Sequence, residues 1–281
     1  MNKDIKILIV GLGLIGGSYA QGLTKKGYSV YAIDKNQESI EYGIKNNLIL
    51  ENKNDEKSLI NDSDLIILSL YPSDNVKWIK ENKKYFKEGL VITDVSGIKM
   101  AIVDEIQSLL TNAEFIASHP MAGREKSGVQ NADFNIFKGA NFLITPTEKN
   151  TDKAISVVKS VANELEFGNI EIIKPKFHDE MIGYLSQLTH VIAISLMNSK
   201  DVEHMIRYTG DSFRDLTRIA KINENLWTEL FVLNKEILSE NIDMFVKEME
   251  DFKRLLNDEN IEEMKKKMIS STERRKLFDK R

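Results

Sequence analysis

The sequence contains no cysteine, which excludes a disulfide framework, a thiolate metal site and a cysteine nucleophile together and points to a cytoplasmic protein. It also lacks an excess of charge: the net value of -4 over 281 residues gives no global attraction to nucleic acid or anionic lipid. Nowhere does an apolar run reach the ~18 residues of a membrane span. Lys3 and Lys6 precede the apolar run Ile7 to Val10, but that run ends at once in glycine, without the small-residue pattern of a signal-peptide cleavage site. Repeats and low-complexity tracts are absent, and the basic ending Glu273-Arg274-Arg275-Lys276 reads as a solvated helix end. What remains is an ordinary globular composition, 42% hydrophobic and 29% charged, in a chain long enough for two domains.

The first part of the chain alternates short β-branched runs with amphipathic stretches, the pattern of a parallel sheet flanked by helices. Strands are expected at 5–10, 29–33, 65–70, 90–93, 115–117, 142–145 and 170–173, and helices at 14–26, 37–46, 75–86, 100–110 and 151–166. After Pro175 there is no further proline, and only Gly183 and Gly210 interrupt a helical pattern that is clearest at 223–238, 242–256 and 261–268. The expected organisation is therefore a Rossmann-type, doubly wound α/β domain over 1–174 and an all-helical domain over 175–281. Within the second, Met181, Ile182, Leu185, Leu188, Val191, Ile192, Ile194 and Leu196 cover the whole wheel of one helix. A small domain can hardly enclose such a helix alone, which predicts a homodimer built on this domain.

Gly11-Leu12-Gly13-Leu14-Ile15-Gly16 follows the first strand directly and opens a helix. In that setting Gly11 allows the tight turn, Gly13 lets backbone approach a pyrophosphate, and Gly16 lets helix and strand pack closely. The helix start then directs unpaired N–H groups and a positive dipole end at the phosphates. Asp34 stands 18 residues beyond Gly16, at the end of the second strand, where an acid accepts from ribose hydroxyls and repels a 2′-phosphate. The loop and acid together predict NAD; Lys35 beside Asp34 is the one feature that favours NADP. The competing interpretation is a structural strand-to-helix turn without a ligand.

His119, Arg124 and Lys126 follow the 115–117 strand, at the carboxyl edge of the sheet where doubly wound folds bind ligands. A histidine there takes a proton near neutral pH, and the cations hold an anion; a satisfied strand-end histidine is the alternative. His190 lies within the apolar helix and needs a partner, for which Ser186 four residues earlier is placed. His178 and His204 sit among polar residues and read as surface side chains. Arg214 and Arg218 share a helix side with Asp215 nearby, as a substrate clamp or as a salt-bridged surface helix. Trp227 suits core or interface.

The motifs GLGLIGGS (11–18), D-x-x-x-x-K (94–99), HPMAGREKSGV (119–129) and FRDLTRIA (213–220), with Trp227 and Asn234 behind them, resemble the prephenate dehydrogenase family, including arogenate dehydrogenase, across the whole chain. The resemblance implies NAD-dependent oxidative decarboxylation of prephenate to 4-hydroxyphenylpyruvate in tyrosine biosynthesis. It assigns His119 to proton transfer at the ring 4-hydroxyl, with Ser96 as a second catalytic group. His190, Arg218, Arg124, Glu125, Asp215 and Trp227 fall on the substrate side, and Gly11 to Gly16, Asp34, Ser69 and Asp94 on the cofactor side. In relatives the helical domain dimerises and the tryptophan approaches the partner's site. Two positions depart: relatives carry Gly-Ser where this chain has Ser96-Gly97, and threonine where Arg124 stands. With ten residues before Gly11 and helices to the end, neither a chorismate mutase segment nor a regulatory domain is expected, so tyrosine feedback would act at the active site. Arogenate dehydrogenase, another two-domain β-hydroxyacid-type dehydrogenase and an NAD-binding sensor without chemistry are the alternatives.

Overall fold

A computed structural model describes residues 2–201 and 203–279. The chain divides into two compact units, residues 1–234 and 235–281.

The first unit begins with β1 (Lys6–Val10), α1 (Leu14–Lys25) and β2 (Ser29–Ile33). It continues through α2 (Gln37–Lys45), α3 (Glu56–Asp62), β3 (Leu65–Leu68), α4 (Pro72–Asn82), β4 (Leu90–Asp94), α5 (Met100–Leu109) and β5 (Ala113–Phe115). These strands form a wholly parallel sheet in the order β2-β1-β3-β4-β5. Its central strands are apolar throughout because both faces are covered: Ile7, Ile9, Leu65 and Ile67 join one core, and Leu8, Val10, Ile66 and Leu68 the other. The chain steps from β1 to β2 on one side and to β3 on the other. The carboxyl ends of β1 and β3 therefore flank the switch point at which such sheets open a ligand crevice.

The strand expected at 115–117 divides. Ile116 still donates its N–H to the Ile92 carbonyl beside β4 at 2.9 Å, whereas Ala117 starts β6 (Ala117–Pro120) in a second sheet. There β6 runs antiparallel to β7 (Asn141–Thr145), and β7 pairs in parallel with β8 (Asn169–Ile172) after α6 (Asp152–Glu164). His119 consequently lies within a strand, opposite Leu143, and not in the loop beyond one.

Proline at its first position starts α7 (Pro175–Ile182), which runs through a π-helical turn (Gly183–Leu188) into α8 (Thr189–Asn198). The uniform helix expected over 181–197 thus contains an inserted wide turn. In the single chain this helix is covered on one side only: Tyr184 is 55% and Leu185 50% exposed. Next come α9 (Asp211–Thr217) and α10 (Glu224–Leu233), the latter capped by the Asn223 side chain on Leu226 N–H. The second unit is a pair of consecutive helices, α11 (Lys235–Asn257) and α12 (Ile261–Lys276), tied by Lys267 to Glu248 and Asp251. It leaves Met244, Met249, Met268 and Ile269 more than half exposed.

Candidate active site

Gly11 has φ +92°, and a Cβ there would lie 2.6 Å from the Ser69 carbonyl oxygen, so the loop after β1 and the end of β3 meet at van der Waals distance only through glycine. A Cβ at Gly16 would fall 1.9 Å from the Gly11 carbonyl oxygen, which fixes the close approach of α1 to the loop. Gly13, the N-cap of α1, is met by no side-chain cap, and a Cβ on it would touch nothing within 4 Å. Space and unsatisfied helix-start donors coincide there, as an anion site requires. Leu12 and Leu14 point into the core, and Ile15 is half-buried. Asp34 follows β2 and accepts from Leu12 N–H at 2.6 Å and Asn36 N–H at 2.8 Å. Each carboxylate oxygen keeps a lone pair for a further donor.

In the second sheet, β6 presents His119. Its Nδ1 is 2.9 Å from Nε2 of His178, whose own Nδ1 is 2.7 Å from Asp179 Oδ1. Asp179 also accepts the N–H groups of Lys99 (2.9 Å) and Met100 (2.8 Å), so it caps α5 from a distant helix. His178 and Asp179 are enclosed, whereas His119 is half-buried. Its Nε2 has no partner among the described residues, and it is not one of their enclosed, unpartnered atoms. Burial, with His178 and Lys99 adding to it, holds the His119 imidazole well below its ordinary value. Burial and then Lys99 bring His178 down to about 2, and burial lifts Asp179 to about 6 against the pull of its backbone donors.

Beside this line, Lys99 and Asp94 form a fully buried ion pair at 2.7 Å. Lys99 Nζ also donates to the Ser118 carbonyl at 2.6 Å, and Asp94 accepts Ser96 N–H and Ser118 N–H at 3.0 Å each. The pair thereby clamps the end of β4 to β6.

Four of the substrate-side candidates, Arg218, Glu125, His190 and Trp227, form a cluster of their own. Arg218, at the end of α9, pairs with Glu125 from the loop after β6. His190 donates from Nδ1 to the Ser186 carbonyl at 2.8 Å and stacks on Trp227, with ring centroids 3.6 Å apart. Burial lowers its basicity, Arg218 lowers it further, and Glu125 acts in the opposite direction. The Ser186 carbonyl and the Arg218 charge therefore act on one imidazole. Asn234 anchors the floor through the Asp179 carbonyl (3.2 Å) and the Gln187 side chain (2.8 Å).

Comparison with known proteins adds a second line of observation. Residues 19–169 match the family described as prephenate dehydrogenase, nucleotide-binding domain, and residues 174–270 match prephenate dehydrogenase, dimerization domain. The chain belongs to the prephenate dehydrogenase family. The prephenate dehydrogenase of Lactococcus lactis is 32% identical over 254 residues, covering 88% of this chain and 70% of the relative. The crystal structure of prephenate dehydrogenase from A. aeolicus, in complex with hydroxyphenyl propionate and NAD+, superposes with a TM-score of 0.89 at 29% identity over 99% of both chains. The Synechocystis arogenate dehydrogenase, 23% identical, shares the fold with a TM-score of 0.83 over 98% of this chain and 100% of that one.

The remaining expected residues have the following surroundings within the chain. The Ser96 hydroxyl accepts from Asn75 Nδ2 at 2.9 Å and makes no hydrogen bond to His119; the residue facing the imidazole is Gly97, whose Cβ would lie 3.8 Å from His119 Cε1. Asp94, expected at the cofactor, is enclosed and saturated by Lys99, Ser96 and Ser118. Arg124 pairs with Asp133 at 2.8 Å. Asp215 is exposed on α9, His204 is also exposed, and Trp227 stacks on its own chain's His190. His178 is the main correction: expected at the surface, it is fully buried behind His119. The adjacent His-Asp pair in the first turns of α7 was the available signal, masked by Lys174, Lys176 and Glu180 around it.

Proposed function

We propose that the protein catalyses NAD-dependent oxidative decarboxylation of prephenate to 4-hydroxyphenylpyruvate, as a cytoplasmic homodimer. The carrying observations are His119 on β6, with its Nε2 unpartnered among the described residues and its strand clamped to the end of β4 by the Lys99–Asp94 pair, and a glycine loop after β1 that fits a pyrophosphate. Gly13 and the α1 start would hold the cofactor phosphates, Asp34 the adenosine ribose, and Ser69 would line the crevice. Bound NAD would supply the hydride acceptor. His119 Nε2 takes the proton of the ring 4-hydroxyl as a carbonyl forms at that carbon, and loss of the ring carboxylate as carbon dioxide makes the product aromatic. Arg218 pairs with a substrate carboxylate in a bidentate geometry that lysine would fill poorly, while Glu125 gives up its ion pair to make room.

The division of labour falls at 174/175, with cofactor contacts before it and dimerisation after it. The exposed Tyr184 and Leu185, which precede the apolar helix α8, support pairing of two copies through that surface. Absence of cysteine supports the cytoplasmic location.

Steady-state NADH formation with prephenate and with arogenate tests this assignment. Turnover of prephenate is expected to exceed that of arogenate; turnover of arogenate alone would transfer the protein to the other specificity. Arg218→Ala is expected to weaken prephenate binding by about 2 to 4 kcal/mol, as loss of one partner of a desolvated charge pair does. Unchanged binding would leave Arg218 as a surface ion-pair residue of Glu125.

A further inference from the structure

Proton acceptance by His119 requires a lone pair on Nε2, and a neutral imidazole has one only if its other nitrogen carries the proton. The side chains behind His119 decide this. Asp179 receives two backbone N–H groups, one on each oxygen, so at neutral pH it is an acceptor and the His178 nitrogen facing it, Nδ1, must bring a proton. Neutral His178 then has no proton on Nε2, the atom 2.9 Å from His119 Nδ1. Two bare lone pairs cannot share that distance, and His119 Nδ1 must therefore be the donor.

We infer that His178 and Asp179 form a positioning dyad that fixes His119 in the Nδ1–H tautomer, with Nε2 unprotonated and open to the crevice. The inference rests on the proton-acceptor role proposed for His119. No proton passes along the dyad in the step: His119 gains one at Nε2 and keeps the one it donates to His178. The dyad is in turn oriented by α5, since Lys99 N–H and Met100 N–H hold Asp179 in place. The charged and titratable groups around it are Lys99, which is neutralised by Asp94, and His119 itself. Burial keeps His178 neutral throughout the working range. Asp179, raised to about 6, is ionised at pH 8, where the measurements belong.

The chain has four histidines, so long-range 1H–15N correlation of the imidazoles, assigned by single substitutions, can report each tautomer. In the wild type at pH 8 both His119 and His178 are expected as Nδ1–H. Substituting His178→Leu removes the acceptor and is expected to release His119 to the Nε2–H form. Turnover should then fall on the order of 10²- to 10⁴-fold, by analogy with loss of the orienting acid in a catalytic triad, with the KM for prephenate unchanged. The carboxamide oxygen of His178→Gln can still accept from His119 Nδ1–H, and this variant should retain the tautomer and most of the rate. Asp179→Asn, which no longer demands a proton on His178, should give a mixed His119 tautomer and an intermediate rate. His119 found as Nε2–H in the wild type, or Leu and Gln variants of His178 with equal rates, would overturn the dyad. Should the tautomers be as stated but His119→Asn keep full activity, the dyad would stand and the proton-acceptor assignment would fall.

Discussion

Replacing His119 by asparagine should lower NADH formation from prephenate by roughly 10²- to 10⁴-fold, the usual contribution of a positioned acid or base. Asparagine retains a polar group in strand β6 but cannot take a proton. The KM should change little, because the pocket cation is Arg218 and not this residue. In the wild type, the imidazole must be neutral to act, so activity is lost as pH falls through its pKa. Burial, His178 and Lys99 push that value well below 6.5, which puts the acid limb attributable to His119 on the low side of an ordinary histidine. Equal rates for wild type and His119→Asn would remove His119 from the mechanism.

The largest effect on stability should come from Lys99→Met. Methionine fills much the same space, but it leaves the Asp94 side chain with no exposure and no counter-charge. Breaking one side of such a pair costs about 3 to 5 kcal/mol. An apolar replacement of both partners would not restore the loss, because Asp94 also accepts the Ser96 and Ser118 amides and their donors would then be orphaned. Urea unfolding followed by circular dichroism measures the difference. A loss below about 1 kcal/mol, the range of exposed pairs, would show that water reaches the site.

Local pattern was enough to read the parallel sheet, the glycine loop and the change to helices after Pro175. The β-branched runs are continuous where both faces are covered, and Gly11 and Gly16 stand where a Cβ would collide with backbone. Two kinds of feature were not legible. The break between β5 and β6 at Ile116 depends on which neighbour each residue pairs with, β4 on one side and β7 on the other, and no sequence window contains those partners. α3 was missed because it is short and carries only Asp55 as an N-cap signal. His178 looked solvated because its sequence neighbours are charged. Its burial comes from α5 and β6, 59 residues before it at His119. Likewise the motif at Asp94 was legible, but its part in clamping β4 to β6 through Lys99 and Ser118 was not, because those partners lie outside the motif's local pattern.

The π-helical turn at Gly183–Leu188 has a geometrical consequence for the two pocket histidines. His178 and His190 are twelve positions apart, and on an uninterrupted α-helix, at 100° per residue, they would point about 120° away from each other. One residue absorbed by a wide turn brings that angle to about 20°. A single inserted position thus rotates the distal half of the helix into phase with the proximal half. It lets one rod support two separate groups from nearly the same side: His178 behind His119, and His190 against Trp227.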